Sequence, residues 1–535
     1  MPIADKISRF KLKLFPITEN RRTYLFLFFL ALGMNLIIAS HQKYPGYIDA
    51  DYYFVGGLRM AQGQGFTDPF LWNYIGNPAG IPTPSFAYWM PLASFVTALS
   101  MLINGQTTYA AGRFLFILIA ACVPPLTSAL SYSMVGNRRW SVISGLLAIL
   151  SFYYAPFMPA VDNYAIFMLL GALFMLFASR RGKWTPLVLG IIAGLMTLAR
   201  SDGLLWLGIG GLVVLWRLSD EPNQPLIKRL KTILPFGLLL LAGYLLIMAP
   251  WYIRNLTVFG TFMAPGGFGL LWLREYFDIF AYPFNGNSFE AFLSAGWRSA
   301  FQNRLLALYS NLVNVIFLQN GIILTPLIVV GLWQARKESL PRIAVIGWLT
   351  LISIMTIAFP FAGLRGSFFH ASAGFQPFWW VVAPIGLNAI FVPLRLRRKF
   401  DHVLVQGFIL ALALLMTVYL INLRVFQTGW ERDNQSYSSI NKILIEDGVT
   451  QTDVTMIRNP PGYYMETGRS AIMVPTGDES TLLAVAERYH ARFLVLDKAA
   501  LYEKYLKIYR NPQIDPHFVY LGDADDGSLV FRIMP

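Results

Sequence analysis

Asp49, Asp51, Asp162, Arg200, Asp202, Arg254, Arg365 and His370 stand at or beside the ends of apolar stretches, far apart along the chain. Held together, carboxylates and cations of this kind suit group transfer from a phosphate-activated donor: one carboxylate takes a proton from an acceptor, and cations hold the departing phosphate. Arginine fits the second task because its planar guanidinium grips phosphate through two parallel hydrogen bonds. Ionisable groups near a bilayer are costly enough to need a reason. Whether these groups can meet depends on the elements that carry them.

Those elements are set by composition. Of 535 residues, 56% are hydrophobic and only 13% charged, and the mean hydropathy is +0.50, which marks a polytopic membrane protein and not a soluble globule. The pattern predicts about eleven transmembrane spans, from Thr23–Ser40 to Val403–Ile421, several of them short or split by glycine and proline. The net charge of +14 reads as topology and gives no reason to expect nucleic acid. Its clusters (Arg21 and Arg22, Arg138 and Arg139, Arg180 to Lys183, Lys228 to Lys231, Arg336 to Arg342, Arg395 to Lys399) fall at the N-terminus or after even-numbered spans, as the retention of basic loops inside requires. The N-terminus is then inside. The loop 41–112, the loop from Trp251 to about Arg304, the loop holding Arg365 and His370, and everything after Leu423 are outside, so the candidate residues share one side. The lead-in MPIADKISRFKLKLFPITENRR has no early apolar core with a cleavage site, so the first span should stay attached. Cys122, the only cysteine, lies in an apolar span and excludes an intrachain disulfide.

Two domains are expected: a transmembrane domain 1–427 with a large first external loop, and a soluble extracytoplasmic α/β domain 428–535. In the latter, strands are predicted at Val454–Arg458, Ala471–Val474, Arg492–Leu496, Phe518–Leu521 and Ser528–Ile533, and helical stretches at Glu479–His490 and Ala499–Tyr509. The run Asp523–Gly527 lacks the length and final glutamate of a calcium loop and reads as a hairpin turn.

Each candidate has a bland reading beside the chemical one. Asp49 and Asp51 stand at the entry to an amphipathic segment, Tyr52–Ala61, that Gly63 and Gly65 break. Asp49 could cap that helix, with Asp51 in its first turn, or present a base. Asp162, opening VDNYAIFMLLGALF, could likewise be only a cap. In ARSDG (Ala199–Gly203), Asp202 could simply pair with Arg200 in a polar turn. Arg365 and His370, in FAGLRGSFFHASAGFQPF, could bind a phosphate or anchor the chain at the interface with Trp379 and Trp380 in an aromatic belt.

The spacing of Asp49 from the paired tyrosines Tyr52 and Tyr53, the glycine-broken helix and the following Pro-rich segment with YWMPL resemble the first external loop of GT-C glycosyltransferases. The likeness is to bacterial members of the protein O-mannosyltransferase and aminoarabinose transferase branch. This resemblance covers roughly Thr23–Ile421 and implies a polytopic α-helical GT-C-like fold. It also implies an inverting transfer of a sugar from a polyprenyl-phosphate donor to a lipid, glycan or protein acceptor at the outer face of the cytoplasmic (inner) membrane. In that branch the first acidic residue of the loop, here Asp49, is the base. A glutamate more often follows it directly, and this chain has Ala50 there, which leaves Asp51 as the substitute. Asp162 matches an aspartate that shapes the acidic site and in some relatives binds a divalent metal, so Mg or Mn is the implied cofactor. Arg365 matches the arginine that binds the lipid phosphate, with His370, Arg200 and Arg254 as further phosphate-binding candidates. NPPGYYMETGR (Asn459–Arg469) looks like segments of domains appended to bacterial relatives, with no role attached. Two alternatives come from other classes. A transporter or flippase of a lipid-linked glycan would usually show repeated halves and midplane sites at broken helices, neither of which is clear here. The other is a catalytically silent relative whose outer domain binds a partner.

Overall fold

In a computed structural model the described residues are 17–216, 225–284, 288–396, 402–498 and 502–534. The N-terminal lead-in up to Pro16, the end of the last basic cluster (Arg397 to Lys399) and Ala499 to Leu501 of the last predicted helical stretch lie outside them. The chain divides into two compact units, one of Met1–His41, Arg113–Arg254 and Asn303–Gln427, the other of Gln42–Gly112, Asn255–Gln302 and Thr428–Pro535.

The first unit is helical. Across the described chain, five helices are long and apolar enough to cross a membrane: Asn20–Ser40, Tyr109–Val135, Ile227–Phe259, Ser339–Ala358 and the run Val403–Glu446. The pair Trp297–Gln319 and Leu324–Gln334, bent by 98°, makes a sixth if it is one span. The protein is thus a multi-pass membrane protein. Three of the expected spans form shorter apolar helices, Asn163–Ala178, Thr185–Ala199 and Leu204–Trp216, of 16, 15 and 13 residues. At 1.5 Å per residue even the longest covers only about 24 Å, less than the hydrocarbon thickness of about 30 Å. Trp379 and Trp380 do not form an aromatic belt: they are 5% and 0% exposed, because Trp379 packs face to face with Phe375 and edge-on to Trp348 inside the unit.

The second unit is built on a six-stranded mixed sheet. Among its elements, in chain order, are α1 (Ile48–Ala61), β1 (Thr67–Asp68), β2 (Phe70–Leu71), β3 (Thr83–Pro84), α2 (Arg432–Glu446), β4 (Val454–Met456), α3 (Pro460–Thr467), β5 (Ala471–Ile472), α4 (Glu479–Tyr489), β6 (Ala491–Leu496), β7 (Phe518–Asp523) and β8 (Leu529–Ile533). The sheet runs β2-β5-β4-β6-β8-β7. β2, β5, β4 and β6 are parallel, and β8 and β7 close it as an antiparallel hairpin whose turn is the predicted Asp523–Gly527. Leu482, Val485 and Tyr489 of α4 fill the core on one face, and Tyr437, Ile440 and Leu444 of α2 with Tyr463 of α3 fill the other. The edge strand β2 comes from the segment Gln42–Gly112, so that segment and the C-terminal segment fold as one body. The 14-residue α1 ends where Gly63 and Gly65 take φ of +74° and +73°, values that glycine adopts without cost.

Candidate active site

Asp162 sits in the turn before helix Asn163–Ala178, where its side chain caps the helix by accepting the Asn163 N–H. The capping reading therefore holds, yet it uses only Oδ1. Oδ2 lies 3.2 Å from His370 Nε2, and Asp162 is 1% exposed. His370 rides on the short helix Ser367–Ser372, which is fixed from behind. Tyr154 donates to the Phe369 carbonyl at 2.8 Å and stacks on the Phe369 ring, and Gln319 donates to Ser372 Oγ at 2.7 Å. The imidazole stacks on Tyr164 with centroids 4.1 Å apart, and its Nδ1 lies 3.2 Å from the Tyr164 hydroxyl and 3.1 Å from the Gly366 carbonyl.

This geometry tests whether a metal fits. The Nε2–H tautomer donates to Asp162 and lets Nδ1 accept from the Tyr164 hydroxyl; in the tautomer protonated on Nδ1, towards the Gly366 carbonyl, Nε2 faces a carboxylate oxygen with its lone pair. Two such atoms 3.2 Å apart repel unless a proton or a cation lies between them. Neighbouring ligands on one cation, with bonds of about 2.0 to 2.2 Å, stand about that far apart, and an Nδ1–H held by a carbonyl is the usual orienting bond of a metal-binding histidine. In the tautomer protonated on Nδ1 the residues fit a divalent metal.

Arg200 and Asp202 form the pair expected of a polar turn: Nη2 to Oδ2 is 2.7 Å, with Nε contributing a second contact at 3.1 Å. Arg200 Nη2 also reaches the Ser367 carbonyl at 3.5 Å, which ties the ARSDG turn to the helix of His370. Arg365 is exposed and closes the short helix Pro360–Leu364, five residues before His370. Arg254 lies over the ring of Trp251 at 4.8 Å. The structure thus gathers Asp162, His370, Arg200 and Asp202 around one short segment that also carries Arg365.

In the second unit Asp49 is not the helix cap. α1 begins earlier than the pattern suggests, after Tyr47, and Asp49 and Asp51 both fall in its first turn, where the helix dipole favours negative charge. Asp51 is 3% exposed; Oδ2 accepts from Asn459 Nδ2 at 2.8 Å, and Oδ1 meets no hydrogen-bond donor among the described residues. Burial, with smaller contributions from the charges of Asp433 and Asp49, pushes its carboxyl up to about 7. Tyr52 donates to Asp68 at 2.8 Å and accepts from the Phe86 N–H at 2.7 Å, and its ring stacks on Trp89, which is how the paired-tyrosine helix and the YWMPL segment are joined.

Two partners escaped the sequence reading. Tyr164 was legible in principle, two residues after Asp162 in VDNYAIF. Asn459 was not, because nothing in NPPGYY points to a carboxylate more than 400 positions away.

No protein-family model and no curated protein matches this chain. Solved structures do. ArnT from Cupriavidus metallidurans in the apo state is 13% identical with a TM-score of 0.58, over 95% of this chain and 97% of that one. The oligosaccharyltransferase AglB from Archaeoglobus fulgidus, in complex with an inhibitory peptide and a dolichol-phosphate, is 13% identical with a TM-score of 0.53, over 96% and 74%. The Archaeoglobus fulgidus oligosaccharyltransferase complex with Zn and sulfate gives a TM-score of 0.53 at 13% identity, over 94% and 72%. At such identities the likeness is one of fold: the chain has the fold of GT-C membrane glycosyltransferases.

Proposed function

We propose that this protein is an inverting membrane glycosyltransferase that moves a sugar from a polyprenyl-phosphate donor to an acceptor at the outer face of the cytoplasmic membrane. The observation that carries this reading is the buried Asp162–His370 pair, two facing groups that suit a cation, set in an apolar unit of a chain with the GT-C fold. A divalent cation held by Asp162 and His370 would supply charge stabilisation as phosphate departs. Asp49 acts as the general base, taking the proton of the acceptor hydroxyl as its oxygen attacks the anomeric carbon. Arg365 holds the phosphate of the carrier, and Arg200, anchored by Asp202, orients the segment that bears it. What supports assigning Asp49 to the same reaction is the sidedness of the basic clusters, which places its loop and the loop of Arg365 outside. In this reading the short apolar helices count among eleven membrane elements, and the N-terminus is cytoplasmic.

A flippase is the second reading, favoured by the helix pair broken at 98°, since transporters place their sites at such breaks. A single-turnover assay with a polyprenyl-phosphate sugar, scanning donor concentration, separates the two. Arg365→Lys keeps a charge and loses the planar fork, so it should weaken donor use, and Arg365→Ala should do so by about ten- to a hundredfold, the effect of losing one charge-assisted contact. An unaltered donor dependence in Arg365→Ala would remove this residue from the site.

A further inference from the structure

We propose that the segment Asn459–Tyr464, from the C-terminal part of the chain, is the positioning device for the helix that carries Asp49, and that Asn459 acts through Asp51. This rests on the reading of Asp49 as the base.

Asn459 sits just past the carboxyl end of β4 and caps α3. Its Oδ1 accepts the Gly462 N–H at 3.1 Å, and this fixes the amide so that Nδ2 points at Asp51 Oδ2, 2.8 Å away. Gly462 is what permits the approach. A Cβ there would lie 2.6 Å from Asn459 Nδ2, 2.8 Å from Asp51 Oδ2 and 2.9 Å from the Tyr437 ring. The far end of the same helix is held by the same segment: Arg59 Nη1 reaches the Tyr464 hydroxyl at 3.4 Å while its Nε donates to the Thr67 carbonyl at 2.5 Å. Ahead of α1, Trp430 Nε1 donates to the Tyr44 carbonyl at 2.9 Å, with its ring against Gly46, where a Cβ would come within 2.3 Å of Nε1. Beyond α1, β2 is bound to β5.

Two residues apart on a helix, Asp49 and Asp51 differ by about 200° around the axis. The buried Asp51 carboxyl is therefore a handle on one side, and the base occupies the other. General-base chemistry needs its oxygen placed to within a fraction of an ångström, and a misplacement of about 1 Å can cost about a hundredfold in rate. A helix anchored at its first turn, its last turn and both flanks meets that need.

Hydrogen exchange on the purified full-length protein, with single-turnover transfer beside it, tests the assignment. In Asn459→Ala the amides of α1 should exchange at least about tenfold faster, while β6 keeps its wild-type protection. The rate constant for transfer should fall about ten- to a hundredfold with the donor KM within about twofold. Gly462→Ala, which removes no polar group, should behave alike. Asn459→Asp replaces the amide donor with a second carboxyl group, and adding Asp51→Asn restores one amide against one carboxyl with donor and acceptor exchanged; the double variant should regain both protection and most of the transfer. Unchanged exchange of α1 in Asn459→Ala and Gly462→Ala overturns the proposal, as does loss of protection shared equally by β6. A double variant that regains protection but stays inactive overturns it too, because Asp51 would then have chemistry of its own. Wild-type protein that never transfers sugar would sink the reading of Asp49 as base, and the exchange data would still decide whether this segment holds the helix.

Discussion

In the tautomer protonated on Nδ1, His370 sets a lone pair against the Asp162 carboxylate 3.2 Å away, a repulsion that a bound cation would relieve. Manganese binding to the purified protein, followed by the loss of the free-ion resonance, should therefore weaken by at least about tenfold in His370→Ala and in Asp162→Asn. Tyr164→Phe, which removes a hydroxyl that only orients the ring, should lie between these and wild type. Equal affinity in all four proteins would remove the metal from this pair and leave an ordinary hydrogen bond from Nε2–H to Asp162. Asp49→Asn keeps the shape of the side chain and loses its basicity, so transfer should fall by about a hundred- to ten-thousandfold with an unchanged amount of folded, membrane-inserted protein. If protein and activity fall together, Asp49 is there for the helix and not for the reaction.

α1 carries a testable electrostatic load. The Asp51 carboxyl, pushed up to about 7 by burial, stays protonated in the fold at pH values where the unfolded chain, with an ordinary carboxylate near 3.9, has lost its proton. Below about pH 4 both states hold the proton and no penalty exists. Between about pH 4 and 7 the unfolded state alone ionises, so stability declines as pH rises, by up to about 4 kcal/mol from three pH units at 1.36 kcal/mol each. Asp51→Asn keeps an acceptor for Asn459 and abolishes this slope, so it should raise the unfolding temperature at pH 8 more than at pH 5. A shift equal at both pH values would mean that Asp51 is ionised in the fold. The sequence shows such elements unevenly. The alternation of apolar residues locates the strands from Val454 onward to within a residue or two, and the glycines that end α1 are visible as breaks. α3 is hidden because its proline-rich start looks like a turn, although proline is well suited to the first turn of a helix. β2 is hidden because two residues carry no periodicity, and its pairing with β5 is a non-local event that a local pattern does not encode. The start of α1 is displaced because Asp49 satisfies a capping pattern equally well from inside the first turn. Of the site, Asp162 with His370 and Arg200 with Asp202 are legible as isolated charges in apolar surroundings. The partnership of Asp162 with His370 is not, since 208 positions separate them.

For the molecule as a whole, sidedness comes first, because every basic cluster would have to be reassigned if the C-terminal segment were inside. Alkaline phosphatase fused after Leu423 should be active, and a reporter that works only in the cytoplasm should be silent there. The reverse pattern would separate the loop of Asp49 from its proposed acceptor. Enzyme and flippase then differ in one bond. The deciding measurement uses purified protein in liposomes with a polyprenyl-phosphate sugar labelled in the sugar, an acceptor fraction and a divalent cation, and follows both label and lipid. The label should leave the lipid with stoichiometric appearance of free polyprenyl phosphate in wild type, and this release should be lost in Asp49→Asn. Labelled lipid that crosses the bilayer with its sugar-phosphate bond intact, equally in both proteins and with acceptor present, would contradict the transferase.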